Sequence, residues 1–268
     1  MIRLLLAAIL TLIFPLAASA LPLKLEGEAT QGGVLVGHTM PGASVTLDGK
    51  ALRPTAEGDF VFGFGRDAAA NAMLIITKGK EVLRHAIAVA PRSWEIQNVT
   101  GLPEKMVTPP PEVLDRIKRE NAELNAARAV DSDDRDFLKP FAWPADGRIS
   151  GVFGSQRVLN GVPKAPHAGL DIAAPQGTEV RAAAAGTVSL AEPDLYYTGG
   201  TVMIDHGHGL STIYVHMSKL LVKKGDVVRQ SDPIGAVGMT GRATGPHLHF
   251  GLAWFDVKLD PALLLPKR

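Results

Sequence analysis

The chain contains no cysteine. That single absence excludes disulfide staples, thiol nucleophiles, cysteine-ligated zinc and a lipid-anchored cysteine. An excess of one charge is also lacking: 28 Lys and Arg stand against 27 Asp and Glu, a formal net charge of +1. A balanced chain offers no electrostatic footprint for a polyanion, so no nucleic-acid partner is expected. Beyond residue 20 there is no apolar run long enough to span a bilayer. What is present is ample core material, with 46% hydrophobic residues, and a charged fraction of 21% that argues against disorder. The 28 Gly and 19 Pro follow no period, so they indicate many turns and short strands rather than a collagen-like or low-complexity chain.

Residues 1–20 form the pattern of a secretory signal peptide. Arg3 precedes an apolar run from Leu4 to Ala18, and Ala18-Ser19-Ala20 supplies small residues at the cleavage position. Pro15 interrupts the run before it reaches the length of an anchor helix. Cleavage after Ala20 is expected, leaving an exported protein with no stable membrane insertion. The periplasm is the expected compartment, with secretion or cell-wall association as the alternative.

The remainder reads as mainly β, in two units and a join. Residues 21–90 carry short strand-like runs at Val34-Leu35-Val36, Val45-Thr46-Leu47, Phe60-Val61-Phe62 and Leu74-Ile75-Ile76, and Asp48-Gly49 marks a hairpin turn. This spacing predicts a small β-sandwich accessory domain. Its histidines, His38 and His85, are isolated, and no titratable cluster occurs there. Residues 91–140 form a linker. Pro111 suits a helix start, and a helix is predicted over about 112–130, with Leu114, Ile117, Leu124 and Ala127 as a loose apolar stripe. The acidic run 131–136 then reads as a solvated connector. Residues 141–266 return to β-rich patterning and predict a twisted, mostly antiparallel domain.

Chemistry concentrates in that last unit, where six of the eight histidines lie. His247 and His249 are two apart, so on a strand they share one face while Leu248 points the other way. His167 and Asp171 are four apart across Gly169. Two imidazoles and a carboxylate make a hydrolytic type of metal set, with three protein ligands and a fourth position for water. His216 lies on a different strand and can enter the same cleft. His206 and His208, in Asp205-His206-Gly207-His208-Gly209, read better as a hydrogen-bonded turn than as a second metal site.

The stretches FGSQR, PHAGLDIAAPQGTEVRAAAAGTV, GGTVMIDHGHGLSTIYVHMSKLLVKKGDVV and VGMTGRATGPHLHFGL resemble the catalytic domain of the lysostaphin-type (LytM) zinc metallopeptidases, the M23 family of peptidoglycan endopeptidases. The resemblance covers residues 141–266 and implies a LytM-like domain with the duplicated hybrid motif. It implies one Zn²⁺ per chain, held by His167, Asp171 and His249, with His216 and His247 as catalytic histidines and peptidoglycan as the partner. Which of those two histidines acts as base is left open. Some relatives place a tyrosine near the zinc. None occurs here between Phe153 and His167, and Tyr196 and Tyr197 are the nearest in sequence.

Arg157 and Arg242 are candidates for holding substrate carboxylates, against the ordinary alternative of solvent-facing arginines. The expected function is zinc-dependent hydrolysis of peptidoglycan cross-links by a metal-activated water. The alternative is a non-catalytic LytM-type wall-binding module that activates a murein amidase. The N-terminal domain and the helix are also expected to cover the groove, and so to offer a site for a regulatory partner.

Overall fold

In this computed structural model the described residues are 21–268, and the leader expected over residues 1–20 lies outside them. The protein is mainly β, as the strand patterning predicts. Its N-terminal part holds two antiparallel sheets. One joins Lys24–Gly27, Val34–His38 and Asp59–Gly63; the other joins Lys50–Leu52, Ser44–Leu47, Asn71–Lys78 and Glu81–Ala88. Alternate residues of these strands, including Phe60, Phe62, Leu74 and Ile76, are fully buried between the sheets. Asp48 and Gly49 both have positive φ (48° and 82°), the left-handed pair that a tight hairpin between two twisted strands requires.

The C-terminal part is built on one large antiparallel sheet. Its path runs through Val227–Val228, Gly186–Leu195, Gly199–Asp205, Leu210–Met217, His247–Trp254, Gly169–Ala173 and Arg148–Gly151, with Val257–Leu259 added onto His247–Trp254. Leu170, Ile172, Leu248 and Phe250 point to the core from the two strands that carry the histidine and aspartate motifs. Each such burial contributes roughly 1.5–3 kcal/mol of transfer free energy. It therefore also holds the alternate residues, Asp171, His247 and His249, on the opposite face.

The predicted helix is present at Pro111–Arg128, with Pro111 in its first turn. Leu124 and Ala127 are buried against Leu190, Leu195, Met203 and Ile213 of the large sheet. Leu114 departs from the expected stripe. It is 49% exposed, and the helix instead packs its apolar side chains on the sheet through its C-terminal half.

The acidic run after the helix is not a free connector. Arg53 pairs with Asp131 and Asp133, Ser132 donates to Asp205, and Arg135 bridges Glu57 and Asp59. These partners from both flanking parts bind charges that the sequence left without visible counterions. A further strand, Ile96–Val99, pairs in parallel with Gln156–Leu159 and so brings the join to the edge of the histidine-bearing region. Among the described residues no helix is long and apolar enough to cross a membrane.

Candidate metal centre and catalytic cleft

Strand register assembles the first half of the site. Asp171 lies directly opposite His249, and Gly169 opposite Gly251. Residues opposed in an antiparallel pair share a face, so the carboxylate and the imidazole meet. His167 precedes the strand and is pinned there by two backbone bonds: its N–H donates to Ser155 O, and its carbonyl accepts from Gly154 N–H. Two glycines make room. A Cβ at Gly151 would lie 2.4 Å from Asp171 Oδ2, and one at Gly169 would lie 2.9 Å from the His249 ring.

Three donor atoms then converge. His167 Nε2 is 2.8 Å from His249 Nδ1, His249 Nδ1 is 2.8 Å from Asp171 Oδ1, and His167 Nε2 is 3.0 Å from that same oxygen. The proton of neutral His167 is assigned to Nδ1, which donates to Val152 O at 2.9 Å. Its Nε2 is thereby a lone pair. With both rings neutral and the carboxyl ionised, one proton at most, on His249 Nδ1, sits among the three atoms. The His167–Asp171 contact is then lone pair against anion.

A cation among the three atoms removes that repulsion. Tetrahedral coordination at about 2.05 Å needs ligand atoms roughly 3.3 Å apart, so an outward shift of a few tenths of an ångström accommodates it. Among the described residues this is the cluster of three suited to a metal.

The charge states also fit. Burial opposes ionisation of Asp171, but the two imidazoles beside it, His167 and His249, outweigh it and hold the carboxyl well below its usual range. Burial pushes His249 down to about 4, against the opposing hydrogen bond to Asp171. An ionised carboxylate beside a neutral imidazole is the state in which such side chains bind a metal.

His216 enters by a local irregularity. It follows Val215, which lies opposite His249, so a regular strand would turn its side chain away from the site. Instead His216 has φ 65°, next to a register shift in the pairing with Gly199–Asp205. A bulge of this kind re-aims a side chain. The His216 ring centroid lies 4.7 Å from that of His247 and 6.3 Å from that of His249.

His216 Nδ1 donates to Thr240 O at 2.8 Å, and His247 Nδ1 donates to Gly245 O at 2.9 Å. In the neutral form of either ring, Nε2 is then the free lone pair. His247 Nε2 lies 3.9 Å from Asp171 Oδ1. Burial pushes His216 down to about 3.

The structure thus brings together all five predicted histidine and aspartate positions. It also separates the two arginines. Both line the clefts on either side of the cluster, which measure about 250 and 210 Å³. Arg157 Nη2 donates to Asp171 Oδ2 at 2.6 Å, so its guanidinium is engaged with a member of the cluster rather than waiting for a ligand. Arg242 has no such partner. Its guanidinium lies over the Tyr197 ring, 4.6 Å from the centroid.

Tyr197 lines the second cleft with His167, His216 and His249. This position was not legible from its distance along the chain. The neighbouring Tyr196 hydroxyl is already engaged, donating to Lys105 O. The backbone carbonyls of Val152, Thr240 and Gly245, which fix the three tautomers, carry no side-chain signal at all.

His206 and His208 do not form a second centre. His206 bonds Ala185 O and Thr212 Oγ1, and His208 bonds Arg53 O, which is the hydrogen-bonded turn expected.

Residues 165–261 match the model of peptidase family M23. The chain is 46% identical over 114 residues to the peptidoglycan DD-endopeptidase ShyA of Vibrio cholerae, covering 41% of this chain and 26% of that protein. It is 49% identical over 84 residues to the DD-carboxypeptidase/endopeptidase Mpg of Neisseria meningitidis, covering 31% of this chain and 19% of that protein. The chain thus spans about a quarter or less of the length of these curated relatives. A crystal structure from Pseudomonas aeruginosa, described as a peptidase M23, superposes with a TM-score of 0.68 at 31% identity. That match covers 88% of this chain and 95% of the other.

Proposed function

This chain belongs to peptidase family M23, and from that premise we propose that it is a zinc-dependent endopeptidase that hydrolyses peptide cross-links of bacterial peptidoglycan. The observation that carries the proposal is the triangle of His167 Nε2, His249 Nδ1 and Asp171 Oδ1, with edges of 2.8–3.0 Å. The endopeptidase names of two relatives support the substrate class. With no cysteine in the chain, the mixed N/O set is of the open, hydrolytic kind rather than a closed structural one.

His167, Asp171 and His249 are the ligands in this reading. Zinc, when bound, supplies Lewis-acid polarisation of the scissile carbonyl and acidifies water to a pKa of about 7 in favourable sites. The protein does the rest. Arg157 holds the far oxygen of Asp171, so that Oδ1 faces the histidines. His216 and His247 present Nε2 towards the cluster. Each can accept a proton there from the attacking water, and each can return one to the leaving amine. Their Nδ1–H bonds to Thr240 and Gly245 keep the rings oriented through both transfers. An intact set of five such residues weighs against a purely non-catalytic wall-binding role.

Export to the periplasm, where peptidoglycan is accessible, completes the proposal, together with regulation through the N-terminal part. The test is digestion of purified cross-linked wall, with fragments identified by mass. Zinc-loaded protein is expected to release cleaved cross-links, chelated protein none, and zinc addition to restore cleavage. Undiminished cleavage after chelation would refute the metal mechanism.

A further inference from the structure

Beyond the peptidase reading, we infer that the space beneath the end of the helix Pro111–Arg128 is a binding site for a doubly charged tetrahedral oxyanion of the phosphate class, held by Arg128, Lys258 and Ser211 and bridging the helix to the large sheet.

Strand register places two of the three donors. Ala253 lies opposite Ser211 on one side and opposite Lys258 on the other. Opposed residues share a face, so all three side chains point the same way. His249, Gly251 and Ala253 alternate along the strand His247–Trp254, so this is also the face that carries His249. With neighbouring strands about 4.8 Å apart, the backbones of Ser211 and Lys258 are roughly 10 Å apart. Only the methyl of Ala253 stands between them, which leaves room for a small group above it. The helix supplies the third donor from over the sheet, Arg128 in its last turn. All three line one space of about 160 Å³ that runs on to His249.

These donors are little used within the protein. Ser211 is 3% exposed, and its buried hydroxyl has no hydrogen-bond partner. Such a group is costly to leave unpaired, and an acceptor in the space removes the cost. Arg128 and Lys258 are half-buried. Arg128 donates to Asn125 Oδ1 of its own helix at 3.0 Å, which leaves most of its guanidinium fork free. The carboxylate acting on both cations is that of Asp256, which is exposed and forms an ion pair with neither. Burial lowers Arg128, and burial together with the Arg128 charge pushes Lys258 down to about 7. Two cations that oppose each other in a half-buried space both gain from an anion between them.

Charge and donor count select the anion. Two cations match a dianion, and three donor groups match the several oxygens of a tetrahedral group better than the two of a carboxylate. The opposing charges are weaker: the helix C-terminus contributes only about half a negative charge, and Asp256 is screened at the surface. Arg128 belongs to the helix, and Ser211 and Lys258 belong to the sheet. An anion held by all three therefore ties the end of the helix down.

The experiment is calorimetric titration of the zinc-loaded chain with inorganic phosphate at pH 8, against chloride of equal ionic strength. Proteolysis within residues 108–130 is followed with and without the anion. Phosphate is expected to bind at one saturable site and to slow that proteolysis several-fold. Arg128→Gln and Lys258→Met are each expected to weaken binding by about ten- to a hundred-fold and to abolish the protection. Ser211→Ala is expected to weaken binding a few-fold, and Lys258→Arg, which keeps the charge, to retain most of the affinity. Phosphate can also meet zinc, so the titration is repeated after the metal and chelator are removed, and binding at this site is expected to persist. Glycerol phosphate as a second probe separates a free anion from a phosphate monoester, and binding of either that depends on Arg128 and Lys258 supports the site. No binding of either probe above that of chloride overturns the inference. So does binding that is unchanged in both Arg128→Gln and Lys258→Met, which with loss on metal removal would put the anion on the zinc. The titration reads no turnover, so its result does not depend on whether the chain cleaves wall.

Discussion

Arg157 donates to Oδ2 of Asp171 at 2.6 Å, while the other oxygen of that carboxylate faces His167 and His249. One residue thus orients another that lies 14 positions later and on a different strand. In the proposed zinc site this is an outer contact that fixes which oxygen is presented, and losing such contacts costs about 10–100-fold in metal affinity. Arg157→Gln is therefore expected to weaken zinc binding by about that factor in a chelator-competition titration. The fold should persist, because the side chain is partly exposed. Unchanged affinity would assign the guanidinium to the substrate instead.

The two histidines outside the metal triangle make a contrasting prediction. His216 and His247 bond backbone carbonyls through Nδ1 and contribute no atom to the triangle. Replacing either by alanine is expected to leave zinc stoichiometry at one per chain and to lower kcat/KM by about 10²–10⁴-fold. His249→Ala is expected to lose the metal as well. Metal analysis alongside turnover separates the two classes. A His247→Ala protein that loses zinc would move that residue into the ligand set.

The letters of the candidate metal cluster were legible in the sequence because they depend on local rules. Two residues apart on a strand share a face, and the apolar Leu248 between His247 and His249 announces which face is the core. The tandem of short apolar runs likewise announced a β protein. What remained hidden depends on contacts far apart along the chain. His216 reaches the cluster only because its backbone is left-handed at φ 65° inside a strand, where alternation alone would turn it away. Arg157 and Arg242 looked equivalent as letters, and only the fold gives one of them Asp171 and the other Tyr197. The acidic run 131–136 looked solvated because its partner Arg53 lies nearly eighty residues earlier.

Acid stability has a separate source at His206. This ring is fully buried, bonded to Ala185 O and Thr212 Oγ1, and burial pushes it down to about 4 from the ordinary 6.5. Between those two values the unfolded chain binds a proton that the folded chain refuses. Stability therefore falls as the pH drops from about 6.5 towards 4, by on the order of 3 kcal/mol once below both values. Urea unfolding of wild type and His206→Gln across pH 4–7 checks this. The variant is expected to be less stable at pH 7 but to have a flatter pH slope. Parallel slopes would place the acid sensitivity elsewhere.

The helix Pro111–Arg128 bears on regulation because of the face it covers. Val215 lies opposite His249, Ile213 opposite Gly251, Met203 opposite Ile213, and Leu190 opposite Met203. Opposed residues share a face, so these side chains continue the surface that carries His249, and Leu124 and Ala127 of the helix are buried on it. The helix is also tied to the cleft loop, since Glu120 accepts from the Tyr196 N–H at 2.7 Å, next to Tyr197. A long cross-linked substrate must compete with this cover, whereas a short peptide at the cluster need not. Leu124→Gly, which removes the side chain packed against Met203 and Leu190 and lowers helix propensity, is expected to loosen the helix. Cleavage of intact wall should then rise several-fold, while turnover of a short peptide changes little. Proteolysis within residues 108–130 should become faster in the same variant. Faster proteolysis without any gain on intact wall would show that the helix is structural support and not a cover.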